Sequence, residues 1–124
     1  MAYQWDNKKP TAQMLGRWQP FHDGHYTLFK EIVKKTGQVC IQIRDVQGVE
    51  DNPFDFETVK KNIEERLNPE FEGHFIIMMV PNITNICYGR GVGYKIEEIE
   101  LSKEIQKISA TKIRAKMREE GKLD

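Results

Sequence analysis

The order in which apolar and amphipathic segments follow one another most constrains the fold of this chain. An apolar segment at residues 12–18 reads as a buried strand that runs into a tight turn. Apolar residues then recur at helical spacing, and Gly37 stands where a helix C-cap glycine is expected. Residues 38–44 are rich in β-branched side chains and predict a second strand.

A second helix and a third strand are predicted next. Asp55 is an N-cap candidate for a helix with apolar residues at Phe56, Val59, Ile63 and Leu67, and Asn68-Pro69 ends it. Residues 74–80 form a continuous apolar run, which is typical of a central parallel strand covered on both faces. The order strand, helix, strand, helix, strand predicts an α/β fold with a parallel sheet and right-handed crossovers.

The last third of the chain has weaker signals. Residues 81–94 read as a glycine-containing loop, and residues 95–101 predict a further strand because Ile99 and Leu101 alternate with charges. Residues 109–121 predict a C-terminal helix with Ser109 as N-cap and Gly121 as its stop. The length of 124 residues fits a single domain over 1–124, with residues 1–10 as a flexible or peripheral N-terminal segment.

Charge and cysteine content exclude several classes of protein. The 19 basic and 19 acidic side chains give no net charge, which argues against a generic nucleic-acid or membrane binder. Two cysteines cannot form a disulfide framework, and no segment resembles a secretory signal or spans a bilayer, so a cytoplasmic location is expected. The charges are nevertheless segregated. Residues 50–72 contain eight acidic and three basic side chains, whereas residues 103–122 contain seven basic and three acidic ones.

The segment Gly-Arg-Trp-Gln-Pro-Phe-His-Asp-Gly-His at residues 16–25 falls where the first strand passes into the first helix. Open α/β sheets bind ligands at this carboxyl edge. His22 and His25 can both point at one small anion, and Gly24 lacks a Cβ, so phosphate oxygens can approach the backbone. The guanidinium of Arg17 suits phosphate. Two histidines at this spacing are equally compatible with ordinary loop residues that bond the backbone.

The segment Ile-Ser-Ala-Thr-Lys-Ile-Arg at residues 108–114 opens the last predicted helix. The hydroxyls of Ser109 and Thr111 can cap free N–H groups or bind phosphate. Lys112 and Arg114 place cations in a first turn where the helix dipole disfavours them, which a bound anion would explain. An ordinary capped helix is the alternative interpretation.

Together these segments resemble the motifs of the HxGH nucleotidyltransferase superfamily, over residues 14 to about 117. An HxGH loop follows the first strand of that family, and an Ile-Ser-x-Thr-x-x-Arg segment lies near the end, as here. The resemblance implies a small Rossmann-like three-layer α/β fold with a parallel sheet and the HxGH loop after the first strand. It implies transfer of a nucleoside monophosphate from a nucleoside triphosphate to a phosphate-bearing small molecule, with release of pyrophosphate.

The same resemblance assigns roles to residues. His22, His25 and Arg114 are expected to be catalytic, with the histidines stabilising charge on the transferring α-phosphoryl group. Nucleotide phosphates are expected to bind Gly16, Arg17, Gly24, Ser109, Thr111 and Arg114. Mg²⁺ is expected to arrive on the nucleotide, because no cluster of acidic ligands is apparent for it. A homo-oligomer is expected, with neither nucleic acid nor membrane as a partner.

The donor nucleotide stays open. The sequence Gly-Arg-Trp-Gln-Pro-Phe-His is similar to the form found in nicotinamide-mononucleotide adenylyltransferases of the archaeal kind, and Asn52-Pro53-Phe54 looks like an Asn-Pro-Phe segment of those enzymes. These points favour ATP and AMP transfer. Only 25 residues separate Asn82 from Ile108, however, which is closer to a minimal cytidylyltransferase that uses CTP and a polyol or sugar phosphate.

Acceptor or base contacts are expected from polar residues that follow the second and third strands: Arg44, Asp45, Asn52, Asn82, Asn85 and Arg90. Asparagines after a strand also stabilise turns, so a purely local role is an equal alternative for Asn82 and Asn85. Trp18 could stack on a base, but packing is the favoured interpretation. A non-catalytic nucleotide-binding or sensor module is the alternative function of a different class.

Overall fold

The computed structural model describes residues 3–46, 52–90, 93, 95–107 and 110–121. The strands among them form an open, three-stranded parallel sheet in the order β1-β2-β3. This is the Rossmann-like α/β fold that the sequence predicts. Its elements, in chain order, are β1 (Ala12–Gly16), α1 (Asp23–Thr36), β2 (Val39–Arg44), α2 (Phe56–Leu67), β3 (Phe75–Val80), α3 (Lys103–Gln106) and α4 (Ala110–Glu119).

The predicted ends of the first two helices are confirmed. Helix α1 ends at Gly37, whose φ of 85° is left-handed and whose N–H donates to the carbonyl of Val33 at 2.8 Å. Helix α2 begins at Asp55, whose carboxylate accepts the N–H of Thr58 at 2.8 Å. Hydrogen bonds from the side chain of Thr58 and from its backbone N–H favour the charged carboxylate and lower the pKa of Asp55.

Both long helices cover the same face of the sheet. Two right-handed crossovers that advance in one direction, from β1 to β2 to β3, place their helices on one side. Alternate residues of the strands therefore meet both helices in one buried cluster: Met14, Val39, Ile41 and Ile43 from the sheet, Phe29 and Ile32 from α1, and Val59, Ile63 and Leu67 from α2.

The prediction that the third strand is central is wrong. Strand β2 lies in the middle of the sheet and β3 lies at one edge, with Met78 and Met79 exposed by 42% and 47%. An uninterrupted apolar run indicates that both faces of a strand are apolar, but it does not indicate how many other strands pair with that strand. The continuous run of residues 75–80 therefore fits an edge strand as well as a central one.

The predicted strand at residues 95–101 is also wrong, since the structure has no strand within that range. Ile99 packs against the core cluster, and Glu97 forms an ion pair with Lys35 of α1 at 3.3 Å. The segment therefore contacts helix α1 and the core instead of pairing with a strand of the sheet. The last helix ends as predicted, with Gly121 at a φ of 78° and its N–H donating to the carbonyl of Arg118.

The N-terminal segment contacts the amino edge of the sheet. Tyr3 donates to the side-chain oxygen of Gln38 at 3.1 Å and stacks on His74, with ring centroids 4.2 Å apart. Because Gln38 and His74 directly precede β2 and β3, this contact lies opposite the carboxyl ends of the strands. No helix in the described ranges is long and apolar enough to cross a membrane.

Candidate phosphate-binding site

The loop between β1 and α1 lines a cavity of about 320 Å³ at the carboxyl edge of the sheet. We call residues 16–25 the histidine loop. The cavity brings together four of the predicted site residues, Gly16, Arg17, His25 and Arg114, from both sequence motifs. Its complete lining is Leu15, Gly16, Arg17, Trp18, Gln19, His25, Leu28 and Arg114.

The two histidines of this loop cap helix α1 reciprocally. Nδ1 of His22 accepts the N–H of Gly24 at 3.0 Å and that of His25 at 3.4 Å, while Nδ1 of His25 accepts the N–H of His22 at 3.2 Å. A ring nitrogen that accepts a backbone N–H carries no proton. Each neutral imidazole therefore has its proton on Nε2, and the pair presents two N–H donors.

Burial keeps both rings uncharged. The two imidazoles stack with centroids 3.6 Å apart and an interplanar angle of 15°. Burial lowers the pKa of His22, although the carboxylate of Asp23 opposes this shift. Burial also lowers the pKa of His25 to about 3, and the neighbouring His22 adds to the effect. At neutral pH the histidines are therefore neutral donors, and the positive charge at the cavity comes from Arg17 and Arg114.

The glycines of the loop make room for its rings. A Cβ on Gly24 would lie 2.8 Å from Cε1 of His22, so the space beside Gly24 holds the imidazole and is not open to a phosphate oxygen. A Cβ on Gly16 would lie 2.7 Å from Cζ2 of Trp18. These contacts revise the physical reason for Gly24: it lets His22 fold back onto the helix N-terminus.

Trp18 has the packing role that the sequence favours. Its indole is only 6% exposed, donates from Nε1 to the carbonyl of Gln42 at 3.1 Å, and meets the ring of His25 edge-on at 4.7 Å. The residue has a φ of +55°, which costs a bulky side chain on the order of 1–3 kcal/mol. The buried indole and its hydrogen bond hold this strained conformation and thereby the shape of the histidine loop.

Arg114 carries the contribution of the last helix to the cavity. It is 2% exposed, donates from Nη1 to the carbonyl of Gln19, and donates from Nη2 to the hydroxyl of Thr111 at 3.3 Å. The second motif is thus in direct contact with the first. Ser109 and Ile108 lie outside the described residues.

Four predicted acceptor residues lie at the carboxyl edge beside the histidine loop. Arg17 donates to the side-chain oxygen of Asn52 at 3.3 Å. Arg44, at the end of β2, donates to the side-chain oxygen of Asn82 at 2.7 Å, and Asn82 follows β3. Asp45 continues the same edge, with its N–H donating to the carbonyl of Val80. The ends of all three strands therefore present polar groups in one direction.

Arg90 and Asn85 are not placed at this cavity. Arg90 lines a second cavity of about 1030 Å³, between the first residues of β1, helix α1 and described residues of the segments 86–90 and 95–99. Asn85 is exposed, and its side-chain oxygen accepts the hydroxyl of Thr84. Sequence reasoning also missed a buried contact of Gln19, a residue inside the first motif for which no local pattern revealed a partner.

The polar groups that line the cavity do not suit a protein-bound magnesium ion. The ionisable side chains of the cavity carry imidazole and guanidinium nitrogens, and the Oε1 of Gln19 already accepts the N–H of Phe54, whereas Mg²⁺ takes oxygen ligands in octahedral geometry. Within the described ranges, no group of three or more histidine, cysteine or acidic side chains could hold a metal ion.

Comparison with known proteins gives short but specific similarities. No family model matches the sequence. Nicotinamide-nucleotide adenylyltransferases of Methanococcus aeolicus and Methanolobus tindarius are each 44% identical over 45 residues, which is 35% of this chain and 26% of the relative. The enzyme of the same name from Methanococcus maripaludis is 44% identical over 36 residues, which is 29% of this chain and 21% of the relative.

These similarities support a relationship to the nucleotidyltransferases. The matched residues cover about a quarter or less of the length of each curated relative. The relationship therefore rests on a short stretch of the chain.

Proposed function

We propose that this protein is a nucleotidyltransferase of the HxGH type, which transfers AMP from ATP to a phosphate-bearing small molecule and releases pyrophosphate. The observation that carries the proposal is the stacked histidine pair. Both Nδ1 atoms of His22 and His25 are bound to the N-terminus of α1, while His25 shares a cavity with Arg17 and Arg114. Such a cavity offers donors for phosphate oxygens and no carboxylate that would repel them.

The proposed chemistry needs positioning and charge stabilisation more than proton transfer. A phosphate oxygen of the acceptor attacks the α-phosphorus, and the bond from that phosphorus to the oxygen bridging the β-phosphate breaks. The acceptor oxygen is already anionic, so no general base is required, and the leaving pyrophosphate takes the bonding electron pair. Nε2–H donors on His22 and His25 would stabilise charge on the α-phosphoryl oxygens, while the guanidinium groups would hold the leaving phosphates.

The donor and the acceptor are proposed on different grounds. The names of the matched relatives support ATP as donor and a nicotinamide nucleotide as acceptor. The hydrogen-bonded pair of Arg44 and Asn82 lies at the same sheet edge, where it could contact an acceptor phosphate. We propose that magnesium enters with the triphosphate as part of the substrate, since the ionisable side chains of the cavity carry nitrogen donors and none is a carboxylate.

A pyrophosphate-release screen tests the proposal. ATP, CTP, GTP and UTP are each incubated with a panel of phosphorylated metabolites that includes nicotinamide mononucleotide and polyol phosphates. We expect release with ATP only when the correct acceptor is present. Release with CTP and a polyol phosphate would show a cytidylyltransferase instead, and tight nucleotide binding without turnover across the panel would show a binding module.

Histidine variants tie the activity to the site. His22→Ala and His25→Ala are each expected to lose about 100-fold or more of the rate, because each removes a donor to the transferring group. His74→Ala is the matched control, since His74 lies at the amino edge of the sheet beside Tyr3. Full activity in both site variants would exclude the proposed mechanism.

A further inference from the structure

Gln19 makes a two-point contact with a distant segment of the backbone. Its side chain is 2% exposed. Its Nε2 donates to the carbonyl of Phe54 at 2.9 Å, and its Oε1 accepts the N–H of Phe54 at 2.9 Å, across 35 residues of sequence. The amide thus pairs with one residue's backbone groups as a neighbouring strand would, and both of its polar ends are satisfied.

Neighbouring contacts converge on the same residue. Arg17, two positions earlier, donates to the side-chain oxygen of Asn52, two positions before Phe54. The backbone carbonyl of Gln19 accepts a hydrogen bond from Arg114 of helix α4. The histidine loop, the segment 52–54 and helix α4 therefore meet around Gln19. Both arginines that line the cavity, Arg17 and Arg114, take part in these contacts.

We propose that Gln19 is a positioning residue that fastens segment 52–54 to the histidine loop and so holds both arginines of the triphosphate site in place. This inference rests on the proposed nucleotidyl transfer and deepens it. Gln19 acts through its neighbours: its amide fixes segment 52–54, Asn52 in that segment orients Arg17, and its own carbonyl orients Arg114. The side chains held in this way belong to the nucleotide half of the site, because both arginines are the proposed phosphate ligands.

Loss of the two hydrogen bonds between Gln19 and Phe54 destabilises this part of the fold because the Gln19 amide is buried. Removal of the amide leaves the N–H and the carbonyl of Phe54 without these partners, and a buried polar group without a partner favours any arrangement that exposes it to water. Segment 52–54 is then expected to separate from the loop and release Arg17. Nucleotide binding suffers directly, whereas the acceptor contacts proposed for Arg44 and Asn82 belong to the ends of β2 and β3.

Matched glutamine variants test the proposal. Gln19→Met keeps the length of the side chain and removes both hydrogen bonds, and Gln19→Glu keeps an acceptor for the N–H of Phe54. Gln13→Met is the control, because it makes the same chemical change at an exposed glutamine whose amide donates to Gln42 on the sheet. We expect Gln19→Met to raise the KM for the triphosphate about tenfold and to leave the KM for the acceptor within about threefold.

Two further measurements separate positioning from general damage to the fold. Amide hydrogen exchange at Phe54 is expected to accelerate about tenfold or more in Gln19→Met and to stay at the wild-type rate in Gln13→Met. Asn52→Ala is expected to weaken nucleotide binding in the wild type and to have little additional effect in the Gln19→Met background, because both changes release Arg17. If Gln19→Met does not fold, Gln19→Glu takes its place in the same comparisons.

The outcomes distinguish this inference from the proposed function. A wild-type protein that binds no nucleoside triphosphate overturns the proposed function, while Phe54 exchange still reports on the contact. Additive effects of Asn52→Ala and Gln19→Met, or an unchanged KM for the triphosphate with faster Phe54 exchange, overturn the positioning role of Gln19 and leave the proposed function standing.

Discussion

Acid should destabilise this protein through His25, and a single substitution should remove that part of the effect. Burial and the stacked His22 lower the pKa of His25 to about 3, whereas an unfolded chain restores a value of about 6.5. The unfolded state therefore binds the proton more readily over this range. The contribution of His25 to the free energy of unfolding is therefore fully present above pH 6.5, and it declines as the pH falls towards 3.

The size of the effect can be worked from these two pKa values. Between pH 8 and pH 5, the difference in proton binding amounts to a loss of about 2 kcal/mol in the free energy of unfolding. Urea denaturation followed by circular dichroism at both pH values measures that loss. His25→Gln is expected to lose about 2 kcal/mol less than the wild type over the same interval, whatever its absolute stability.

The matched variant His74→Gln keeps both histidines of the loop and controls for the replacement of a histidine elsewhere in the fold. Titrating groups away from the loop, Asp55 among them, contribute equally to the wild type and to the variants, so the difference reports on His25 together with its coupling to His22. Identical pH dependence in the wild type and in His25→Gln would refute the neutral, capping role assigned to this imidazole.

Further substitutions probe the shape of the site. Gly24→Ala places a Cβ 2.8 Å from the ring of His22 and should reduce the transfer rate about tenfold or more, whereas Gly89→Ala, with nothing within 4 Å, should leave the rate unchanged in the same assay. Trp18→Phe removes the N–H that donates to the carbonyl of Gln42 and should lower the free energy of unfolding, measured by urea denaturation, by about 1–2 kcal/mol. Unchanged stability would show that this hydrogen bond does not stabilise the fold. Arg114→Lys cannot reproduce both guanidinium hydrogen bonds and should weaken nucleotide binding about tenfold by calorimetry; wild-type affinity would dismiss this role.

Local signals in the sequence predicted the elements well because their causes are local. The C-cap glycine at Gly37 and the N-cap at Asp55 each act within one helical turn. The place of β3 in the sheet was predicted incorrectly because strand order depends on pairing between distant segments. The prediction of a strand at residues 95–101 was wrong for the same reason, because the position of that segment depends on distant contacts such as its ion pair with Lys35, 62 residues away in the sequence.

The candidate site shows the same division. Its position at the carboxyl edge follows from the fold class, and the histidine spacing predicted a pair that acts together. The sequence did not indicate that Nδ1 of both rings would accept backbone N–H groups and leave them neutral, because this depends on the turn into α1 and on burial by Trp18. The pairing of Gln19 with Phe54 is visible only in three dimensions, since neither residue has a pattern that identifies its partner.

The most direct test of the account is ³¹P nuclear magnetic resonance of the wild-type protein with ATP, magnesium and nicotinamide mononucleotide. We expect pyrophosphate and a new diphosphate-linked product to appear in equal amounts, with no pyrophosphate when the acceptor is omitted. Because attack at the α-phosphorus produces this pair of signals, it reports the bond that breaks. Release of inorganic phosphate from the γ-position instead, or bound ATP that stays intact with every acceptor tried, would contradict the central claim.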